Sequence, residues 1–249
     1  MKVKYLTALP VYNEVDHVDQ DLDEVLRYSP NVLVVDDGST DGTRAQLAQH
    51  GDVQVVRHER NLGYGAALRS AFEYALAHDY DVLVTIDCDG QHEPQRIGQF
   101  VAASSEAQIV SGSRYLKQFE GDSQPPAARR KINLEITAEV NRRLGLNLTD
   151  AFCGFKAYRA DALRKLHVTE TGYAMPLEVW VQAAKAGLSV LELPVPLIYL
   201  DESRSFGGAL DDAQVRLSHY REVIERSLAA DCDSHTRPTC GVLCGESAR

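Results

Sequence analysis

One stretch limits the choice of fold more than any other: residues 80–91, YDVLVTIDCDGQ. Val82, Leu83, Val84 and Ile86 surround a single Thr in a five-residue run. That is the composition of a strand buried on both faces of a parallel sheet. The run stops at Asp87-Cys88-Asp89, with Gly90 directly behind. In open α/β sheets, ligands bind beyond the carboxyl ends of the strands. Two carboxylates one residue apart repel unless something positive joins them. A divalent cation carrying a polyphosphate does so, because hard cations prefer oxygen ligands. Asp and Gly also build ordinary turns, so this stretch alone does not separate a site from a turn.

The same design recurs along the first half. Residues 3–9 (VKYLTAL) read as a strand ended by Pro10, and Val11-Tyr12-Asn13-Glu14 form the loop into a helix over 15–28. A second strand over 31–35 ends in Asp36-Asp37-Gly38-Ser39-Thr40-Asp41-Gly42-Thr43, again carboxylates followed by glycine and helix-capping residues. A helix over 44–50 and a short strand over 53–56 follow. Asn61-Leu62-Gly63-Tyr64-Gly65 then turns into a helix over 66–78, its glycines allowing close approach to the sheet. After the Asp-Cys-Asp stretch, Pro94 opens another helix, and 108–110 is a fifth strand ending in Ser111-Gly112-Ser113-Arg114-Tyr115. The order βαβαβαβαβ predicts a doubly wound, mostly parallel α/β sheet. Three strand ends carry polar clusters, and strand ends on one edge converge on one crevice. That convergence favours a site over three unrelated turns.

Composition narrows the partners. The 249 residues, 44% hydrophobic and 25% charged, suit a soluble globular chain with a sizeable core. A net charge of −10 argues against non-specific binding to nucleic acid or anionic lipid. No nucleic-acid partner is expected, and membrane contact is expected to be peripheral at most. No segment reaches the ~18 consecutive apolar residues of a membrane span. The apolar part of the N-terminus is too short for a signal peptide. The five cysteines are odd in number, so no disulfide framework is expected. A cytoplasmic location is the expectation.

The second half has a different texture. Residues 117–126 form a polar loop that is either mobile and functional beside the site or simply exposed, the functional reading being preferred. A helix over 127–144 opens with Arg129-Arg130-Lys131, a local cationic exception that is either a solvated face or an anion site. Residues 149–159 read as irregular or short β structure, 161–166 and 173–186 as helices, 189–193 and 196–199 as strands, and 210–230 as a last helix. Residues 231–249 are expected to be disordered. Their cysteines and His235 match no usual zinc spacing.

Five motifs now stand in order: Pro10-Val11-Tyr12-Asn13-Glu14, Asp36-Asp37-Gly38-Ser39, Asn61-x-Gly63-x-Gly65, Asp87-x-Asp89-Gly90-Gln91 and Ser111-Gly112-Ser113-Arg114. Over residues 3–225 the chain resembles the family 2 glycosyltransferases of the GT-A fold. The segment Asp150 to Arg159, DAFCGFKAYR, is similar to one in the dolichyl- and polyprenyl-phosphate mannosyl- and glucosyltransferases. The resemblance implies one GT-A domain over 1–230, with 1–115 as the nucleotide-sugar half and 116–230 as the acceptor half. It implies metal-dependent, inverting transfer of a hexose from a GDP- or UDP-sugar, with Mg²⁺ or Mn²⁺, to a polyprenyl phosphate.

Residue by residue, the resemblance places Pro10, Tyr12, Glu14, Val35, Asp37, Asp87, Cys88 and Asp89 at the nucleotide sugar. It places Asp87, Asp89 and Gln91 at the metal and Arg114 at the phosphate or the acceptor; with Arg204, the cationic residues Arg129 and Arg130 are the expected acceptor-binding residues. Asp89, Arg114 and Glu178 are the expected catalytic residues. One departure stands out. Related enzymes carry Arg-x-x-Gly-x-Ser-Lys after the last strand, and here the stretch is Arg204-Ser205-Phe206-Gly207-Gly208-Ala209-Leu210, without that Ser and Lys. A hydroxyl acceptor therefore stays open. It requires a general base, for which Glu178 and Asp150 are the candidates. A nucleotidyltransferase would carry a glycine-rich basic loop after the first strand, where this chain has the acidic Pro10–Glu14 loop. A non-catalytic nucleotide-sugar-binding module is the remaining alternative.

Overall fold

The computed structural model describes residues 3–199 and 208–230. Seven strands and eight helices are laid down in the order β1 (Tyr5–Val11), α1 (Val18–Leu26), β2 (Val32–Asp36), α2 (Thr43–Leu47), β3 (Gln54–Arg57), α3 (Tyr64–Ala77), β4 (Val82–Thr85), α4 (Ile97–Ala103), β5 (Ile109–Ser113), α5 (Ala127–Leu144), β6 (Lys156–Arg159), α6 (Ala160–Leu163), α7 (Met175–Lys185), β7 (Val190–Pro194) and α8 (Ala213–Ala229). The apolar runs became the central strands. β2 and β4 are buried at every position, as a strand covered on both faces must be.

Side-chain alternation splits the core into two layers. Leu6, Leu33, Val35 and Leu83 pack under α3, α5, α7 and α8. Val32, Val34, Val82 and Val84 pack under α1 and α4 on the other face. Trp180 of α7 is fully buried, and its indole N–H is satisfied by Ala151 O at 2.9 Å. The helix expected over 127–144 has those bounds: Pro126 precedes it and Gly145 ends it in a left-handed conformation.

The strand order is β3-β2-β1-β4-β6-β5-β7. The chain leaves β1 towards β2 and β3 on one side, then crosses to β4 on the other. The switch point lies between β1 and β4, where a crevice opens beyond the carboxyl ends. All pairings are parallel except those of β6, which inserts antiparallel between β4 and β5. Residues 196–199, expected as a strand, join no sheet. They are tied to the 117–126 loop instead: Ser123 N donates to Leu197 O at 2.7 Å, Leu197 N to Asp122 Oδ1 at 2.9 Å, and Tyr199 N to Ser123 Oγ at 3.0 Å. That loop, read from sequence as mobile, is therefore anchored. Arg204 and the 231–249 tail lie outside the described residues.

Candidate active site

A cleft of about 760 Å³ opens at the switch point. One end is built from the loops after β1, β2 and β4, and its lining includes Pro10, Tyr12, Glu14, Asp37, Asp87, Cys88 and Asp89. These loops are cross-braced. Asn13 adopts a positive φ of 55°, which Asn tolerates better than most residues. Its N–H donates to Ser39 Oγ at 3.0 Å, and its Oδ1 accepts from Thr40 N at 2.8 Å. Glu14 N donates to Thr43 Oγ1. Gly38 lets the loop after β2 lie flush on the loop after β3, since a Cβ there would sit 2.3 Å from the Arg60 carbonyl carbon.

Asp37 lines the cleft, yet its carboxylate holds the protein together. Oδ1 accepts from Leu62 N at 2.9 Å and lies 2.6 Å from His58 Nδ1, and Oδ2 accepts from Gly63 N at 2.8 Å. Its neighbour Asp36 is fully buried against Ser39 N and Arg44. Replacing Asp37 by Ala is expected to lower stability by about 1.5–3 kcal/mol, the worth of a hydrogen bond to a charged group, and to weaken nucleotide binding as the 58–63 loop loosens. Urea denaturation beside a nucleotide titration checks this, and unchanged values in both would refute the clamp.

At the end of β4, Asp87 and Asp89 are half-buried and face the cleft, whereas Cys88 between them is buried at 3% exposure. Asp87 accepts from Tyr64 Oη at 2.9 Å, and His92 Nε2 lies 3.3 Å from its other oxygen. Asp89 Oδ1 accepts from Gln91 N at 3.0 Å. The Gln91 side chain is not part of the lining. Among the described residues, no group of three or more His, Cys, Asp and Glu converges as a metal cage.

The opposite end is cationic and apolar together. Arg114, Arg129, Arg130 and Arg216 line it beside Pro125, Ile132, Phe152, Leu197, Tyr199 and Tyr220. Arg129 and Arg130 face the cleft and Lys131 does not, because neighbours on a helix point about 100° apart. Arg130 lies 4.5 Å over the Tyr115 ring, and Arg129 hydrogen-bonds Tyr199 Oη.

Arg114 is gripped from below. Its Nε and Nη2 donate to the two oxygens of Asp150 at 2.6 and 2.9 Å, and Asp150 Oδ1 also accepts from Asn133 Nδ2 at 3.0 Å. Asp150 is fully buried. Burial opposes its charge, yet the Arg114 guanidinium and the hydrogen bonds hold its carboxyl far below the usual range.

A family model described as "Glycosyl transferase family 2" matches residues 7–167. This chain belongs to glycosyl transferase family 2. It is 32% identical over 229 residues to the undecaprenyl-phosphate mannosyltransferase of Micrococcus luteus, covering 88% of this chain and 94% of that one. It is 31% identical to the polyprenol monophosphomannose synthase of Mycolicibacterium smegmatis, covering 86% of each. The fold matches the Mycobacterium tuberculosis glucosyl-3-phosphoglycerate synthase solved with Mn²⁺, UDP and glucosyl-3-phosphoglycerate, at a TM-score of 0.70 and 18% identity over 93% of this chain and 82% of that one. The sheet expected from sequence is thus a GT-A sheet.

Besides Gln91, which is not among the lining residues, the glycosyltransferase departs from the sequence reading at Val35, Glu178 and Asp150. Val35, expected at the nucleotide, is fully buried in the core under α3. Glu178, expected to be catalytic, does not line the cleft. Its carboxylate accepts from Thr169 N at 2.9 Å, Thr169 Oγ1 at 2.8 Å and Glu170 N at 2.6 Å, fixing the loop before α7. Asp150, the other candidate base, is sealed and held ionised by Arg114, so it has neither access nor proton affinity. Among the lining residues with no role assigned from sequence are Tyr64, Tyr173, Arg216 and Tyr220. Tyr64 stands inside the Asn-x-Gly-x-Gly motif of the glycosyltransferase, which was its only signal. The other three come from chain segments far from any motif.

Proposed function

We propose that this glycosyltransferase moves a hexose from a nucleotide-diphosphate sugar, a GDP- or UDP-hexose, to a polyprenyl phosphate. The observation that carries the reading is that one cleft is lined both by two carboxylates and by arginines set among apolar and aromatic side chains. An anionic head on a hydrocarbon tail needs that second combination. The lipid acceptors in the names of the two mannosyl-transferring relatives support it.

On this reading Pro10, Tyr12, Glu14 and Asp37 surround the nucleoside. Tyr12, 43% exposed, offers a ring face to the base. Asp87 and Asp89 suit Mg²⁺ or Mn²⁺, because such ions take one or two carboxylates and complete their sphere with phosphate oxygens and water rather than with an all-protein cage. The ion would neutralise the charge that grows on the departing nucleotide. A phosphate acceptor is already anionic, so attack on the anomeric carbon, with inversion, needs no general base. The burial of both Glu178 and Asp150 away from the cleft accords with that. Arg114, Arg129 and Arg130 would orient the acceptor through charge-assisted hydrogen bonds. No helix of the described residues is long and apolar enough to cross a membrane, so the enzyme would meet its lipid at the membrane surface.

The test is the double variant Arg129→Ala/Arg130→Ala. Losing hydrogen bonds to a charged phosphate is worth about 1.5–3 kcal/mol, so the KM for polyprenyl phosphate should rise by roughly 10- to 150-fold at 1.4 kcal/mol per decade, with donor affinity retained. Transfer to a soluble hydroxyl acceptor by the wild-type enzyme, with lipid phosphate ignored, would sink the acceptor assignment.

A further inference from the structure

The side chain of Tyr64 is tied to the carboxylate pair. Its hydroxyl donates to Asp87 Oδ1 at 2.9 Å. On the other oxygen stands His92 Nε2 at 3.3 Å, its ring only 7% exposed. Behind the carboxylate Gly154 presses so close that a Cβ there would lie 2.0 Å from Oδ2. An Asp side chain has two torsions to lose. Here each oxygen has a partner, and backbone walls off the space behind.

Tyr64 is itself held from two sides. It opens α3, where Gly65 N and Ala66 N both donate to Thr171 O, at 2.7 and 3.3 Å. Its ring stacks on Tyr173 with centroids 5.6 Å apart. Thr171 and Tyr173 belong to the loop that Glu178 anchors.

We infer that Tyr64 is a positioning residue for donor binding: it holds Asp87 in one rotamer facing the cleft, so that the carboxylate is in place before the diphosphate and its cation arrive. The inference rests on the proposed reading of this end as the donor site. Its physical basis is preorganisation. A carboxylate already ordered pays its rotamer entropy on folding rather than at binding.

Tyr64→Phe removes one oxygen and keeps the ring on Tyr173. Calorimetric titration of UDP and GDP, with and without Mn²⁺, reads the effect. The Mn²⁺-supported affinity should fall by about 10- to 100-fold, the range for outer partners of metal ligands. The metal-free affinity should stay as in the wild type, and so should the melting temperature, to within a few degrees. A double-mutant cycle with Asp87→Ala separates positioning from direct contact: once Asp87 is gone, Tyr64→Phe should add no further loss. Wild-type affinity in Tyr64→Phe, or full additivity with Asp87→Ala, overturns the positioning role. If the wild-type enzyme shows no Mn²⁺-dependent affinity for either nucleotide, the donor-site reading itself falls, and this inference falls with it.

Discussion

Replacing Asp150 by alanine is expected to lower the melting temperature by roughly 6–20 °C, from about 3–5 kcal/mol for breaking a buried pair at about 2–4 °C per kcal/mol in a chain of this size. The cause is what would be left behind. Asp150 is wholly buried, and it fastens Arg114 after β5, Asn133 of α5 and its own turn through Phe152 N at 3.1 Å. Alanine strands a guanidinium whose side chain is only 22% exposed. The pH dependence has a definite sign. The folded carboxyl ionises well below the usual aspartate range, so its contribution is complete above about pH 4 and is lost as pH falls through the folded value. The stability gap between wild type and variant should be full at pH 7 and narrow at pH 3. Urea denaturation at the two pH values measures it, and a gap that widens in acid would contradict the ion pair.

Asp89→Ala is expected to remove metal-supported nucleotide binding while leaving the fold intact. Asp89 is half-buried on a loop beyond β4, so no strand depends on it. Loss of a direct ligand should exceed the ~100-fold upper range for an outer partner of a ligand. Nucleoside diphosphate titrated in Mn²⁺ should therefore show no binding above the metal-free level. Chelation of the metal should reproduce the variant's behaviour in the wild-type enzyme. Affinity equal to wild type would remove the carboxylate pair from the metal site.

The central strands were legible because their physics is local. An apolar run of β-branched residues, cut off by carboxylates and glycine, marks both a buried strand and the end at which it opens, and this located the loops after β1, β2 and β4. Arg129 and Arg130 were legible because three adjacent cations contradict an acidic chain. Glu178 and Asp150 were misread because a charge that is buried and paired looks, in sequence, like a charge aimed at a substrate. What distinguishes them is a partner far along the chain, Arg114 in one case and the 169–170 amides in the other. Residues 196–199 read as a strand, but they join no sheet and their hydrogen bonds go to a loop.

The antiparallel β6 bears on how the chain is made. Its four residues, Lys156–Arg159, supply the hydrogen-bonding partners between β4 and β5. As the chain emerges from the ribosome, everything through residue 115 is available well before that wedge. During the interval β4 and β5 each present a bare flank, and such flanks recruit other strands. Synthesis runs at about 5–20 residues per second, so the gap stays open for seconds unless a chaperone or a non-native pairing covers it. Termination within that window would release a piece that owns both Asp87 and Asp89 yet cannot close its own sheet.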